Sequence, residues 1–396
     1  MLHTRRTLAS TAIALSLACF SIGSAFAQDA NAVAQRLKDV LAYQGVELSW
    51  ANVSANGSQI VLDGVNYGVP GTPDKISVGT VTLEDVTEVS GGYKIGSMSL
   101  PVITFKDQGI EFKMTSANMS GVTLPAPGTD YMSNLMLYDS AKVESITFAY
   151  ADKQVFSVEN IHVNLTAPNA GAMSFKGGAE KFSADLSALP DPRSRATLQA
   201  LGYQQATGNI QMEGSWNPAD GRVDLSRYEL AIDNAGKLGI TVDFEGYTPE
   251  FLNTVQTLSK KLGEGGSPEE QRSDAIQMAN LFQALILNGA SVRFEDASLT
   301  NKVLNFVAQQ QGADPAQLKE QTKTIIPFLL ASSPIKDEAF KKNVSDAVAA
   351  FLDNPKSLTV RAKPATPQPF ALLGAVGQAD PGSLPTALGL SVTAND

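Results

Sequence analysis

Residues 210–244 read IQMEGSWNPADGRVDLSRYELAIDNAGKLGITVDF, and their pattern decides the fold. Ile210, Met212 and Trp216 lead into Asn217-Pro218-Ala219-Asp220-Gly221. Tyr228, Leu230 and Ile232 follow, then a second turn at Asn234 to Gly236, then Leu238, Ile240, Val242 and Phe244. Successive side chains of a β-strand point to opposite faces, so a period of two describes three strands that share one apolar face. The Asn, Pro, Asp and Gly clusters between them are hairpin turns. One apolar and one polar face belong to an antiparallel sheet, because parallel sheets are buried on both sides and read as unbroken apolar runs.

The same alternation extends toward the N-terminus. It begins with Val46, Leu48 and Trp50 and continues through Ile110, Phe112 and Met114, then Ile146, Phe148 and Tyr150, then Ile161, Val163 and Leu165. Gly71, Gly91-Gly92 and Pro125 to Pro127 punctuate it, and a meander is the simplest topology. A short pattern recurs: an apolar residue, an acid, a small or turn-forming residue, then an apolar one. It occurs as Leu62-Asp63-Gly64-Val65, Leu83-Glu84-Asp85-Val86, Val158-Glu159-Asn160-Ile161 and, weakly, Phe294-Glu295-Asp296-Ala297. Gly, Asp and Asn tolerate positive φ, so the pattern is read as a bulge or turn device, in preference to a row of ligand-binding acids. Its irregular spacing argues against a solenoid.

Helical periods frame these strands. Val33, Leu37, Val40 and Leu41 form one stripe that Gly45 stops, and Asp191-Pro192 opens a short helix between strands. From Thr248-Pro249 helices dominate: one to about Leu262, one from the Ser267 to Glu270 capping box to Gly289, then stretches at 301–311, 315–331 and 337–353, with Pro327 expected to kink or divide the second. Ser291 to Phe294 is a short strand within this run. After Leu358 to Arg361 comes a proline-rich linker, Lys363 to Pro369, and Leu390 to Val392 can pair with a sheet edge. The expected fold is α+β, a long antiparallel meander or curved sheet covered by amphipathic helices of the C-terminal half. Residues 28–246 form a β-rich region with an N-terminal helix, 247–354 a helical region packing on the sheet, and 355–396 a strand, the linker and a tail.

Residues 1–27 read as a secretory signal peptide: Arg5 and Arg6, an apolar run from Leu8 to Phe20, and Ala25-Phe26-Ala27 before the cut. The run is shorter than the roughly 20 residues of a membrane span, and no later segment is longer, so no integral span is expected in the mature chain. Lipidation at Cys19 and a twin-arginine route are weaker readings than general export to the periplasm. Cleavage removes the single cysteine and one of the two histidines, which leaves His162. Without Arg5 and Arg6 the 30 basic residues become 28 against 40 acidic ones, a net charge of −12. So acidic a chain lacks the basic footprint that nucleic acid or an anionic membrane surface requires.

Chemistry-bearing constellations are scarce. His162 lies on the polar side of its strand, with no Gly-x-Ser-x-Gly elbow to serve. Ser333-Pro334-Ile335-Lys336 satisfies Ser-x-x-Lys without its companion motifs, and a helix N-cap before Pro334 explains it better. One histidine and no cysteine build no zinc site. Asn217, Asp220 and Asp224 cluster in a loop but make a hairpin turn, lacking an Asp-x-Asp-x-Asp-Gly calcium loop. No phosphate loop or dinucleotide fingerprint occurs. No catalytic, cofactor-binding or metal residue is therefore assigned, and no cofactor is expected.

Asn354-Pro355-Lys356-Ser357-Leu358-Thr359 and Pro367-Gln368-Pro369-Phe370 resemble stretches of uncharacterised secreted proteins of alphaproteobacteria. In pattern, residues 46–246 are similar to AsmA-like periplasmic proteins, although the usual N-terminal membrane anchor is missing. That resemblance implies lipid handling or envelope maintenance around an apolar groove. The expected function is a non-enzymatic periplasmic envelope protein that binds a lipid or other hydrophobic ligand. The alternative is a structural scaffold with a filled core and an envelope protein as partner.

Overall fold

The computed structural model describes residues 29–69, 75–166 and 171–396. The signal-peptide reading and the turn at Gly71 lie outside the described residues. Helix α1 (Ala30–Tyr43) opens the chain. Nine strands follow: β1 (Glu47–Ser49), β2 (Asn52–Asn56), β3 (Gln59–Gly68), β4 (Lys75–Glu84), β5 (Thr87–Val89), β6 (Gly92–Leu100), β7 (Ile103–Asp107), β8 (Ile110–Met114) and β9 (Ala117–Leu124). Six longer strands continue, namely β10 (Ser140–Tyr150), β11 (Lys153–Thr166), β12 (Met173–Asp185), β13 (Gln205–Asn217), β14 (Arg222–Ile232) and β15 (Gly236–Glu245), with α2 (Pro192–Ala200) between β12 and β13. Helices α3 (Pro249–Glu264) and α4 (Pro268–Leu281) precede β16 (Ile286–Asp296), and α5 (Leu299–Gln311), α6 (Pro315–Ala331) and α7 (Glu338–Asp353) precede β17 (Ser357–Ala362). The chain ends with β18 (Gln368–Pro369), α8 (Phe370–Ala379), α9 (Leu384–Ala387) and β19 (Leu390–Ala394).

The helix starts follow one chemical formula. Asp191, Thr248, Ser267 and Asp314 each accept hydrogen bonds from first-turn amides, and each is followed by a proline that has no amide to satisfy. Ser267 and Glu270 complete a reciprocal capping box.

All the strands belong to one antiparallel sheet. The edge pair β1 and β2 flanks β3, and the order then runs β3, β4, β6, β9, β10 and stepwise to β16, β17 and β19. Strand β8 continues the β9 line along the second half of β10. The expected meander is the observed one.

Three of the four recurring acid patterns carry their third residue in the left-handed region: Gly64 at φ 64°, Asp85 at 53° and Asn160 at 52°. The bulge at Asn160 is shared. Val143 pairs with Ile161 and Ile161 with Ala179, while Ile146 pairs with Val158 and Val158 with Phe182, so β10, β11 and β12 each carry an extra residue at the same level. Strand β13 carries none, and the register shift falls between Ala179 and Phe182, where β12 meets it. The fourth pattern is different: Asp296 ends β16 and accepts the Thr300 amide at 2.7 Å, leading into α5.

Three element boundaries differ from the sequence reading. Helix α4 stops at Leu281 instead of Gly289, because residues from Ile286 are taken into the sheet by β15 and β18, and β16 is an eleven-residue strand, not a short one. Helix α6 runs undivided through Pro327. The tail after the proline-rich linker contains α8 and α9, whose nearly all-apolar segment FALLGAV gave no amphipathic stripe to read.

Both ends of the sheet are covered. Helix α1 sets Val33, Ala34 and Leu37 against Ile60, Leu62, Leu83, Ile95, Val122 and Leu124, all buried. At the other end α7 brings Ala347, Phe351 and Leu352 against β17 and β19, with Phe351 and Phe294 ring centroids 6.3 Å apart. Asn343 of α7 seals the edge itself, donating to the Val392 carbonyl at 2.9 Å and accepting the Val392 amide at 2.7 Å. An edge strand thus blocked is no template for another chain.

Replacing Asn160 by valine puts a β-branched residue at positive φ and is expected to destabilise the protein by about 1–3 kcal/mol in chemical denaturation. Asn160→Gly should cost less than half of that, although both variants lose the 2.7 Å hydrogen bond to Glu180. Equal losses would place the cost in the side-chain bond instead of the backbone. Buried Asp185, held by Lys153 and Ser187, is lowered to about 2. Its stabilising contribution is full above the usual aspartate range and lost as pH falls through that range toward 2, so acid unfolding curves of wild type and Asp185→Asn should converge there.

Candidate functional site

Cross-strand pairs share a face, so the register can be followed from strand to strand. Ile60 pairs with Leu83, Leu83 with Met98, Met98 with Met119, and Met119 with Ala141. The line continues through Val163, Gly177, Met212, Tyr228, Ile240, Val292 and Val360 to Val392. No charged side chain interrupts it, and its one hydroxyl is that of Tyr228. Two residues along each strand a second line runs from Leu100 through Ala117, Val143, Ile161, Ala179, Ile210, Leu230, Leu238, Phe294 and Leu358 to Ala394. On the opposite face the intervening line is Asn118, Lys142, His162, Gly178, Gln211, Glu229, Gly239, Arg293, Thr359 and Thr393.

The apolar lines are buried where α1 and α7 lie over them and partly exposed between, most of all from β15 to β17. Leu238, Val292 and Val360 keep 36%, 47% and 39% of their surface exposed. Aromatic rings fill the gaps that glycines leave in this floor: a Cβ on Gly214 would lie 2.7 Å from the Phe175 ring, and one on Gly208 would lie 2.8 Å from the Phe182 ring. Glycine opposite phenylalanine lets the ring lie across the neighbouring strand.

One level beyond the first line, Leu165 pairs with Phe175, and Met173 pairs with Trp216. These residues form one wall of a cavity of about 510 Å³. The segment after β9 forms a second wall with Tyr131, Leu135, Met136 and Tyr138, and Tyr247 and Leu252 at the start of α3 close it. The Trp216 indole donates to the Tyr247 carbonyl at 2.7 Å, and Tyr131 meets Trp216 edge-on at 6.4 Å and Tyr43 at 6.0 Å. Tyr43 in turn donates to Asn253 of α3 at 2.9 Å, and the Gln256 amide donates to the Tyr43 carbonyl. Burial raises the phenol pKa of Tyr131 and Tyr138, which keeps both neutral.

Buried Arg36 of α1 holds the second wall in place. It donates to the carbonyls of Pro125 at 2.7 Å, Ala126 at 3.5 Å and Ser133, reaching both ends of the segment before Leu135. The sequence signal for this wall was the cluster YMSNLMLY at 131–138, apolar but without a period of two, which strand reasoning passes over.

The residues singled out from sequence are scattered. His162 stands on the polar face, its Nδ1 3.1 Å from the Asn160 carbonyl oxygen. The depression beside it is larger, about 600 Å³, but its lining is mostly polar, with Asn118, Lys142, Glu144, Asn164 and Glu180 outnumbering Val143 and Ile161. Ser333 donates to the Leu330 carbonyl at 2.6 Å, while Lys336 reaches Asp380 at 2.6 Å. Ser333 ends α6 and is not the expected N-cap; Asp337 caps α7 by accepting the Phe340 amide at 2.9 Å. Asn217 and Asp220 accept the amides of Ala219 and Arg222, as hairpin-turn residues do. Asp63, Glu84 and Glu159 each face a separate partner, Thr80, Gln59 and Lys181. Among the described residues no group of three His, Cys, Asp or Glu side chains is placed to hold a metal ion. No described helix is long and apolar enough to cross a membrane.

With this geometry in view, one comparison bears on the second half of the floor. Residues 229–395 match the model of a family described as "Uncharacterized protein". The match begins within β14 and takes in β15 to β19 with α3 to α9, so it contains Leu238, Val292, Val360 and the α3 side of the cavity. No curated protein matches the chain.

Arg36→Ala leaves carbonyls on the cavity wall without their charged donor. Loss of charge-assisted hydrogen bonds at a buried site is expected to cost about 2–4 kcal/mol in denaturant unfolding. Limited proteolysis should show new cleavage within 125–135 first. Cleavage elsewhere at the same stage would contradict the role given to Arg36.

Proposed function

We propose that this is a non-enzymatic, exported envelope protein of the periplasm that shelters a lipid or similar hydrophobic molecule against the apolar face of its sheet. The observation that carries the reading is the pair of long apolar lines, partly open to solvent between the α1 and α7 ends. Water-facing Leu238, Val292 and Val360 in a continuous strip favour an apolar occupant, since contiguous apolar surface of this kind marks binding sites. The dimensions fit. From β10 to β17 seven strand spacings of about 4.8 Å span about 34 Å. That is close to the roughly 30 Å hydrocarbon thickness of a bilayer, the length of two acyl chains end to end. The signal-like N-terminus and the AsmA-like strand pattern support export and lipid handling.

A second reading, an interaction scaffold for an envelope protein, is favoured by one observation. Helix α6 leaves Ile325, Phe328 and Leu329 in water, with Phe328 75% exposed.

The test is extraction of the protein purified from the periplasm of its own cells, with native mass spectrometry of the intact complex. A lipid is expected to co-purify with wild type and to be lost, at unchanged circular dichroism, from the Leu238→Asp, Val292→Asp double variant. Recovery of wild type without any hydrophobe would sink the proposal. Retention of a protein complex that Phe328→Asp dissolves would favour the scaffold.

A further inference from the structure

We infer that the cavity between β11 to β13, the 131–139 segment and α3 is a binding site for one uncharged, single-chain amphiphile, with a neutral hydroxyl-bearing head such as that of a monoacylglycerol. This rests on the reading that the apolar face holds hydrocarbon, and it specifies what the end of that face selects.

Three observations support this ligand class. The volume, about 510 Å³, lies in the range that admits one small molecule and excludes several chains at once. The lining contains no lysine or arginine, and its one carboxylate is Asp139, packed against Gly121 so closely that a side chain on Gly121 has no room. A phosphate or carboxylate placed there would be repelled by Asp139 and balanced by no cation in the lining. The third observation is hydrogen-bonding capacity. The Trp216 indole is already committed to Tyr247, whereas the hydroxyls of Tyr131 and Tyr138 have no hydrogen-bond partner among the described residues. Both phenols are only half-buried and neutral, so each can exchange water for a partner that shares a proton without carrying charge, which a hydroxyl or ester carbonyl does. Leu165 and Phe175 lie both in this lining and on the apolar face, so a chain from such a head can run out onto the floor.

The chain has two tryptophans, Trp50 and Trp216, and Trp50 lies outside the cavity beneath Lys38. A Trp50→Phe variant therefore reports on the cavity through Trp216 emission alone. Titration with 1-monolauroylglycerol is expected to give a saturable emission shift. Lauric acid at alkaline pH and lauroyl lysophosphatidylglycerol should bind at least about tenfold more weakly, a difference of about 1.4 kcal/mol or more. In the same background Thr123→Lys adds a cation to the lining and should reverse that preference, and Met136→Phe, which stiffens and fills part of the space without adding an indole, should weaken binding of all three amphiphiles. Anionic amphiphiles binding as tightly as the neutral one would overturn the inference. So would an unresponsive Trp216 in a protein that still binds 1-N-phenylnaphthylamine and loses it on Leu238→Asp, Val292→Asp. In that case the cavity proposal falls and the apolar face stands as the site. Failure of wild type to bind either probe would fell both.

Discussion

A strand that slipped by one residue against its neighbour would turn every apolar side chain it carries to the other face. Thirteen strands of this protein keep their place, from Ile60 to Val392, so one line of aliphatic and aromatic residues crosses the sheet without a charged interruption. The site depends on that register. The floor, the aromatic rings laid over glycines and the wall of the cavity are all consequences of which residue pairs with which. The bulge at Asn160 belongs to the same constraint: without the extra residue in three adjacent strands, Val158 and Ile161 could not both face the floor.

The strands and their faces were legible because alternation is a local property. Ile210 to Phe244 declares its period, turns and apolar side without reference to any other segment, and three of the four acid patterns declared their positive-φ residue through Gly64, Asp85 and Asn160. The caps at Asp191, Thr248, Ser267 and Asp314 were local in the same way. What failed to show was set by distant pairing. Residues 286–290 follow a helix without a break in polarity and become strand only because β15 and Pro369 supply partners. The cavity was invisible for a related reason. Its walls come from residues 131–139, 165–166, 173–175, Trp216, Tyr247 and Leu252, and the least regular of them is fixed by Arg36, reaching across some ninety positions to Pro125 and Ala126, together with the paired backbones of Thr123 and Leu137. Nor does periodicity distinguish an apolar face that helices cover from one they leave open, and here both occur on one sheet.

The two covered ends do different jobs. Helix α1 supplies a conventional core, with side chains nearly all out of water. Helix α7 also closes an edge, spending the Asn343 amide on both backbone groups of Val392. Between them the sheet accepts only partial burial of its apolar side, a cost in free energy that an isolated fold gains nothing by bearing. Acids of the long strands sit on the other face, several of them paired with lysines and arginines, as in Lys181 with Glu159 and Arg222 with Asp243. Strand parity thus keeps these charges off the floor.

Because both ends are finished and the middle is a run of hairpins, the length of the floor is set by counting. From β13 to β15 the connections are no more than the turns at 218–221 and 233–235. Inserting one such hairpin would lengthen the strip by two strand spacings, about 10 Å, and leave α1, α7 and the parity of every other strand as they are. Shortening works the same way, in pairs and never singly, since removing one strand reverses the direction of all that follow. The sheet is in this sense a ruler graduated in hairpins, and related chains with a longer or shorter apolar floor should differ from this one by even numbers of strands.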